Sequence, residues 1–264
     1  MFTIQQYVRA QSLDEAYALN QKKSSTVLGG CGWLRMGRRA IGTAIDLSDL
    51  GLDQIIEHED CFELGAMVTL RQMETNDALA AAFGGCIADC VRPIVGVQFR
   101  GSATIGGSIW SRFGFSDPLT LFLALGARVR LHQAGEIPLA QFVEMPYDRD
   151  ILISVILPKD GRRAVILSHR ASATDLPVLV CAAAHTADGQ WMTAVGARPH
   201  RAALVSDENG LLSAGVTPES AAAFAEYAAE SLDFQSNMRG SAAFRAQLCR
   251  VLVRRAVLAC AKEV

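Results

Sequence analysis

The sequence lacks the residue patterns that build a metal site or a disulfide framework. Its seven cysteines are dispersed along 264 residues, and no C-x-x-C pair occurs. Disulfide scaffolds and zinc or iron–sulfur sites need clustered thiols at short spacings. Cys86 and Cys90 are spaced to share a helix face, but they have no nearby His or Cys partners, so we interpret them as small buried hydrophobic residues. The chain therefore predicts no metal site of its own.

The sequence also has little excess charge and no long apolar run. Lys and Arg total 25 against 27 Asp and Glu, which gives a net charge of −2 and no basic footprint for nucleic acid. We interpret the pairs Arg38-Arg39, Arg162-Arg163 and Arg254-Arg255 as solvated surface. No stretch reaches the apolar length of a membrane span, and the first residues lack a signal-peptide pattern. We expect a cytoplasmic protein that binds neither membrane nor nucleic acid.

Catalytic constellations are missing as well. No hydrolytic triad, paired carboxylate site or P-loop is recognisable. The five histidines are isolated, and such a histidine is more often a polar surface residue than a base. Half of the residues are apolar, which suffices for one large core or two modest ones, and we expect two lobes.

Two glycine-rich loops are the most informative features present. The loop Thr104-Ile105-Gly106-Gly107-Ser108 can bring backbone N–H groups against phosphate oxygens, because glycine permits close approach and unusual φ values. Asp117, nine residues further on, can accept from ribose or ribityl hydroxyls. Near the N-terminus, the β-prone run Ser25–Leu28 enters another such loop, Gly29-Gly30-Cys31-Gly32. Either loop alone is weak evidence, but together they predict a dinucleotide site.

The order and content of these loops resemble the FAD-binding subunit of molybdenum hydroxylases, the family of the xanthine dehydrogenase and carbon monoxide dehydrogenase flavoproteins. Asp150–Pro158 is similar to the family's E-I-L-x-x-I-x-I-P strand, and Met238–Arg245 is similar to its R-G-S-x-x-Y-R helix entry. The resemblance spans nearly the whole chain. It departs at Gly101 and Ser108, where the family usually has asparagine.

The resemblance implies an α+β fold. A two-part FAD-binding domain of the vanillyl-alcohol-oxidase/PCMH type would cover residues 1–160, with subdomains of about 1–57 and 58–160. A smaller α+β domain, an antiparallel sheet with helices, would cover residues 161–264. From the residue pattern we also predict a helix starting at Ser12, one continuous helix over 78–91, a hairpin of strands 178–186 and 190–196, and helices over 119–127, 217–231 and 241–261.

The resemblance further implies FAD as the cofactor, held by both loops and Asp117. The C-terminal domain would approach the flavin at Ser168 and His169, although for His169 a solvent-exposed strand end is an equal alternative. For Trp33 we favour a role in shielding the base of the loop, and for the apolar residues outside the loops the alternative is ordinary core. The expected cofactor-binding residues are Leu28, Gly29, Gly30, Cys31, Gly32, Trp33, Leu34, Ile94, Thr104, Ile105, Gly106, Gly107, Ser108, Asp117, Ile151, Leu152, Ser168 and His169. We expect no residue to act as a catalyst or a metal ligand.

The function that the resemblance implies is electron transfer. A molybdopterin-binding large subunit would reduce the [2Fe-2S] clusters of a small partner subunit, and the chain would take electrons from those clusters. It would pass them through FAD to an acceptor, which we expect to be NAD. The substrate pocket would then lie in another polypeptide. Two other functions stay open: a self-contained flavin reductase or oxidase of the same fold, and a non-catalytic scaffold that has lost FAD.

Overall fold

The computed structural model describes residues 2–262, which form three β-sheets with helices packed around them. The first sheet is parallel, with the strand order β1-β3-β2. As predicted, Ser12 caps its helix, because the Ser12 hydroxyl accepts from the Glu15 amide. This unit consists of β1 Thr3–Arg9, α1 Leu13–Asn20, β2 Ser25–Leu28 and β3 Ala40–Asp46.

The second sheet is antiparallel and has the order β4-β5-β8-β6-β7. Its strands are β4 Ile55–Glu57, β5 Cys61–Gly65, β6 Arg128–Leu131, β7 Gly135–Pro138 and β8 Leu152–Pro158. Because β4 pairs with β5, this sheet already begins at Ile55, and the strand pairing favours a subdomain break between Asp46 and Ile55. The helices around it are α2 Leu70–Glu74, α3 Asp77–Ala82, α4 Cys86–Val91, α5 Val97–Arg100, α6 Ile105–Trp110, α7 Asp117–Ala124 and α8 Leu139–Glu144.

The prediction of one helix over 78–91 is wrong, because that region contains two helices. Gly84 and Gly85 have φ values of +60° and +79° and separate α3 from α4. Two consecutive residues in the left-handed region stop the hydrogen-bond ladder, and glycine adopts this conformation without steric cost. The predicted end of the helix before Arg92 and Pro93 is confirmed, since α4 ends at Val91.

The third sheet and two long helices form the C-terminal part, and the predicted hairpin and both helices are confirmed. The antiparallel strand order is β12-β11-β10-β9. The elements are β9 Arg163–Arg170, β10 Pro177–His185, β11 Trp191–Gly196, β12 Ala203–Ser206, α9 Pro218–Glu230 and α10 Ala242–Cys260. The expected fold class, α+β with a C-terminal antiparallel sheet covered by helices, is confirmed.

The third sheet is buried on both faces. Along β10, Cys181 and Ala183 pack with α9 and α10, while Ala182 and Ala184 pack into the core of the preceding part. Helix α7 lies against this second face and is buried along its whole length. Small side chains on β10 permit this close approach, so the C-terminal sheet is held firmly beside the start of α7 at Asp117.

The motif Met238–Arg245 has a structural role at the entry of α10. Arg245 is fully buried, and its Nε donates to the carbonyls of Val178 at 3.0 Å and Ala197 at 3.1 Å. Its Nη1 donates to the Gln235 carbonyl at 2.8 Å. The guanidinium thus satisfies several backbone acceptors where the helix meets the sheet. None of the helices in residues 2–262 has the length and apolar character to span a bilayer.

Candidate functional site

A groove with two connected lobes runs between the first and second sheets and reaches the C-terminal sheet. The lobes have volumes of about 450 and 340 Å³, which lie in the range of small-molecule and cofactor sites. The first lobe is bounded by both glycine loops, the start of α7 and the end of β9, and the second by β2, the end of α1 and the start of β8. The residues that line both lobes, and so mark their junction, are Thr26, Val27, Gly29, Arg39, Thr104 and Gly107.

The first glycine loop presents a run of unused backbone donors. Within residues 2–262, the five consecutive amides from Gly30 to Leu34 donate to no acceptor. The first loop lies against the second loop and the residues just before it, since a Cβ on Gly29 would lie 2.9 Å from the Thr104 Oγ1 and a Cβ on Gly30 would overlap the Ser102 carbonyl oxygen. Cys31 has φ +56°, a left-handed conformation that costs a residue with a Cβ about 1 kcal/mol or more. Unpaired amides in a strained turn form a concavity that suits an anion.

The second loop does not present its amides in the way that the sequence suggests. The Ile105 amide donates to the Val68 carbonyl at 2.8 Å, and the Gly106 amide donates to the Ala66 carbonyl at 2.9 Å. These two donors hold the loop against the segment that follows β5 and cannot serve a phosphate. The expectation that this loop supplies consecutive free donors is therefore wrong.

The two glycines of the second loop have different roles. A Cβ on Gly106 would overlap the Ala66 carbonyl oxygen, so the fold itself requires glycine there. A Cβ on Gly107 would meet only the Thr104 Oγ1, at 3.3 Å. Thr104 caps α6 by accepting from the Gly107 amide at 3.2 Å. Gly107 thus forms a flat floor at the junction of the lobes, where a ligand can approach the backbone.

An ion pair joins the start of α7 to the end of β9 at the wall of the first lobe. Arg170 Nη2 lies 2.6 Å from Asp117 Oδ1, and both side chains are less than a tenth exposed. Arg170 also donates to the Ser168 hydroxyl at 3.0 Å and the Asp175 carbonyl at 2.6 Å. Burial raises the pKa of the Asp117 carboxyl, and the Arg170 guanidinium opposes that shift. The acid predicted to contact the cofactor is therefore held in place by the C-terminal part.

An aromatic cluster borders the mouth of the first lobe. The Trp33 ring lies 5.8 Å from Phe113 and 5.1 Å from Phe115, and the two phenylalanine rings stack at 5.0 Å. Trp33 is 47% exposed despite these contacts. The cluster supplies an apolar wall next to the unused amides of the first loop.

The opposite wall of the first lobe contains a strained corner. Val95 has φ +51°, although a β-branched residue strongly disfavours the left-handed region. Arg100 donates to the carbonyls of Arg92 at 3.0 Å and Ile94 at 3.2 Å, in the segment that leads into this corner. Glu74 binds the same guanidinium through both carboxylate oxygens, at 2.8 and 3.0 Å. This buried pair fixes the Ile94 and Val95 wall.

The second lobe is lined by apolar residues over a hydrogen-bonded base. Leu28, Ile151 and Leu152 line it. At its base, the Asn20 amide donates to the Arg149 carbonyl at 2.9 Å. The Asp150 carboxylate accepts from the amides of Gln133, Ala134 and Ile151. The base of the lobe is thus fixed by hydrogen bonds, while Leu28, Ile151 and Leu152 offer apolar surface to a planar group.

The groove brings together all but three of the residues expected from the sequence. The Ile105 side chain is buried and lines neither lobe. Ser168 contacts the first lobe only through Arg170. His169 is exposed, and its ring lies edge-on to Phe244 at 5.7 Å. Sequence reasoning missed the groove-lining residues Arg39, Phe113, Phe115 and Arg170. Proximity to recognised motifs could have identified Phe115 and Arg170, whereas Arg39 was assigned to solvated surface.

The fold and the two-lobed groove would suit an elongated ligand with an anionic centre and two larger ends. The family described as the FAD binding domain in molybdopterin dehydrogenase matches residues 2–160, and the CO dehydrogenase flavoprotein C-terminal domain matches residues 168–260. The chain belongs to this family, as an FAD-binding subunit of the molybdenum hydroxylase type, and the two-domain FAD-binding fold expected from the sequence is confirmed. A search of curated protein sequences gives no match.

Solved structures share the fold over nearly the entire chain. Quinoline 2-oxidoreductase from Pseudomonas putida 86 is similar with a TM-score of 0.85 and 20% identity, covering 100% of this chain and 98% of that one. Carbon monoxide dehydrogenase from Hydrogenophaga pseudoflava has a TM-score of 0.84 and 20% identity, with coverages of 97% and 96%. Reconstituted CO dehydrogenase from Oligotropha carboxidovorans has a TM-score of 0.85 and 21% identity, covering 99% of each chain.

Proposed function

We propose that this chain binds FAD along the two-lobed groove and acts as the electron-transfer subunit of a molybdenum hydroxylase complex. The observation that carries the proposal is the run of unpaired amides from Gly30 to Leu34, next to the junction of the lobes. A diphosphate between two larger groups suits this arrangement, because clustered N–H groups bind anions and a lobe opens on each side.

In this proposal the chain's own residues bind and orient the cofactor. The first loop holds the anionic centre, Gly107 gives it close access to the backbone, and Asp117 accepts from a hydroxyl while Arg170 holds its carboxylate in place. Ile105 supports the second loop, Ser168 acts through Arg170, and a contact from His169 remains a prediction. The division into domains at 1–160 and 161–264 is part of the proposal, with the cofactor bound mainly by the first.

Bound flavin would transfer electrons between iron–sulfur clusters, which carry one electron at a time, and an acceptor that takes two. The partners in this proposal are a molybdopterin-binding large subunit and a small [2Fe-2S] subunit, with NAD as the acceptor and the cytoplasm as the location. Support comes from the family match and from the names of the similar structures, which include a molybdenum-containing CO dehydrogenase. Among residues 2–262, we recognise no arrangement of acid and base in the groove, and electron transfer requires none.

The test is the visible absorption spectrum of the purified chain before and after addition of FAD. We expect a flavin spectrum for the wild type and its loss in Gly107→Trp, because the indole would fill the junction of the lobes. Gln98→Trp adds the same side chain at an exposed position of α5 and should keep the spectrum.

Three results would contradict the proposal. A wild-type chain that stays colourless with FAD would favour the scaffold. A flavin spectrum that survives in Gly107→Trp would place the cofactor elsewhere. An FAD-loaded chain that reduces a small-molecule substrate without partner subunits would favour the self-contained reductase.

A further inference from the structure

The junction of the two lobes contains a cation that the fold does not use. Arg39 lies at the end of the short connection between the first loop and β3, and it lines both lobes. Its backbone is fixed, because its carbonyl accepts from the Thr3 amide at 3.1 Å. Its guanidinium has no acceptor and no acidic partner among residues 2–262. A side chain with five donors is thus available at the place where the lobes meet.

The other cations that line the groove are already engaged. In the first lobe Arg170 is paired with Asp117. In the second lobe Arg149 donates to the carbonyls of Asn20 at 2.8 Å and Lys22 at 2.9 Å. Arg39 is therefore the groove-lining cation, within the described part of the chain, that can take a ligand without breaking a contact of the fold.

The backbone donors of the two loops carry only partial charges, which a full positive charge would complement. The amides of Ile105 and Gly106 already donate to the carbonyls of Val68 and Ala66, just after β5, so these two amides cannot bind an anion. The unpaired amides of Gly30 to Leu34 all belong to the first loop. A diphosphate carries about two negative charges, and partial charges on backbone amides complement these best together with a full positive charge.

We propose that Arg39 binds the diphosphate of the dinucleotide where it crosses between the lobes, as the side-chain counterpart of the first glycine loop. This inference rests on the proposed function. It assigns a binding role to a residue that composition alone would place on the solvated surface. A planar guanidinium fork matches two phosphate oxygens, which a lysine cannot do in the same way.

The neighbouring Arg38 provides a matched control. It has the same side chain and is also exposed, but it does not line either lobe. Removal of either arginine changes the net charge of the protein by the same amount. A difference between the two variants therefore reports the position of Arg39 and not the overall charge.

The experiment is a titration of the purified full chain with FAD, followed by flavin fluorescence, for the wild type, Arg39→Ala, Arg39→Lys and Arg38→Ala. We expect Arg39→Ala to weaken FAD affinity by about tenfold or more, in keeping with the loss of a charge-assisted hydrogen bond. Arg39→Lys should recover part of the loss, and Arg38→Ala should stay within about twofold of the wild type. The affinity of Arg39→Ala should also depend less steeply on salt concentration.

The two proposals fail in different ways. A wild-type chain that does not bind FAD would contradict the proposed function. A wild type that binds, with Arg39→Ala and Arg38→Ala equal in affinity and in salt dependence, would overturn the role of Arg39 alone. Thermal unfolding of each variant checks folding, and because Arg39 is exposed we expect unchanged midpoints.

Discussion

Asp117 and Arg170 form a buried ion pair that connects the two parts of the chain, with 2.6 Å between Oδ1 and Nη2. Asp117 is the first residue of α7, whereas Arg170 is the last residue of β9 in the C-terminal sheet. Any shift of that sheet relative to α7 would separate two charges that are shielded from water. The pair thus couples the docking of the C-terminal sheet to the position of a groove-lining carboxylate.

We predict that Arg170→Met strongly destabilises the protein, by about 3–5 kcal/mol, because it leaves the buried Asp117 carboxylate without its partner. The double variant Asp117→Asn with Arg170→Met should recover part of this loss, since no uncompensated charge remains. Urea unfolding of the wild type, Asp117→Asn, Arg170→Met and the double variant measures the coupling between the two residues. In Arg250→Met, which breaks the exposed pair with Glu226, we expect little change. Equal effects of the Arg170 and Arg250 substitutions would contradict the prediction.

The adjacent glycines of the second loop should respond in opposite ways to alanine. Gly106→Ala should lose about 1–3 kcal/mol of stability, because its Cβ overlaps the Ala66 carbonyl oxygen. Gly107→Ala should be neutral or stabilising by up to about 1 kcal/mol, because the position is helical and its Cβ meets only the Thr104 hydroxyl oxygen.

Only the second of these variants should separate stability from function. Chemical unfolding and FAD titration of the same samples should show that Gly107→Ala folds well but binds FAD more weakly than the wild type. Lost stability in Gly107→Ala would contradict the predicted effect of its Cβ, and unchanged affinity would show that Gly107 does not form the floor of the ligand site.

The sequence predicted features whose causes are local. The strand Ser25–Leu28 matches its prediction residue for residue, because a β-prone run and a glycine turn define both of its ends. The break at Gly84 and Gly85 was missed because the alanine-rich pattern on either side gave one continuous helical period.

Features that depend on distant residues could not be read in the same way. Asp117 was recognised, but its partner Arg170 lies 53 residues later and on another sheet. The sequence suggests that the Ile105 amide is a phosphate donor, but in the fold this amide donates to the Val68 carbonyl. A residue's type indicates which hydrogen bonds it can make, while the tertiary fold decides which of them are already made.

The strain at Cys31 should be visible in unfolding experiments. Cys31→Gly should be as stable as the wild type or slightly more so, because glycine adopts the observed φ of +56° without a Cβ penalty. Cys31→Val should be destabilised by about 1–2 kcal/mol, since a β-branched residue disfavours this conformation most. Cys61→Val, in the extended strand β5, should lack this loss. If valine is tolerated equally at both positions, the loop does not hold Cys31 in the left-handed region.

The Glu74–Arg100 pair should give the protein an acid-sensitive stability. Hydrogen bonds from Arg100, and then from Arg71, lower the pKa of the Glu74 carboxyl below its ordinary value of 4.5. A carboxyl whose pKa is lower in the folded than in the unfolded state stabilises the fold above its unfolded pKa, and this stabilisation is lost as pH falls through the folded pKa. Urea unfolding between pH 7 and pH 3 should therefore show a decline in stability on the acid side.

Glu74→Gln removes the titrating group and should flatten that decline. We expect the variant to be less stable than the wild type at pH 7, because Arg100 is then buried without an anionic partner, and the two curves should approach each other at acid pH. Glu59→Gln, at an exposed position that forms no ion pair with residues 2–262, should follow the wild-type curve. Since Arg100 also donates to the Ile94 carbonyl beside the strained Val95, the Glu74 variant should bind FAD more weakly at pH 7. Parallel pH curves for the wild type and Glu74→Gln would show that another carboxyl carries the acid sensitivity.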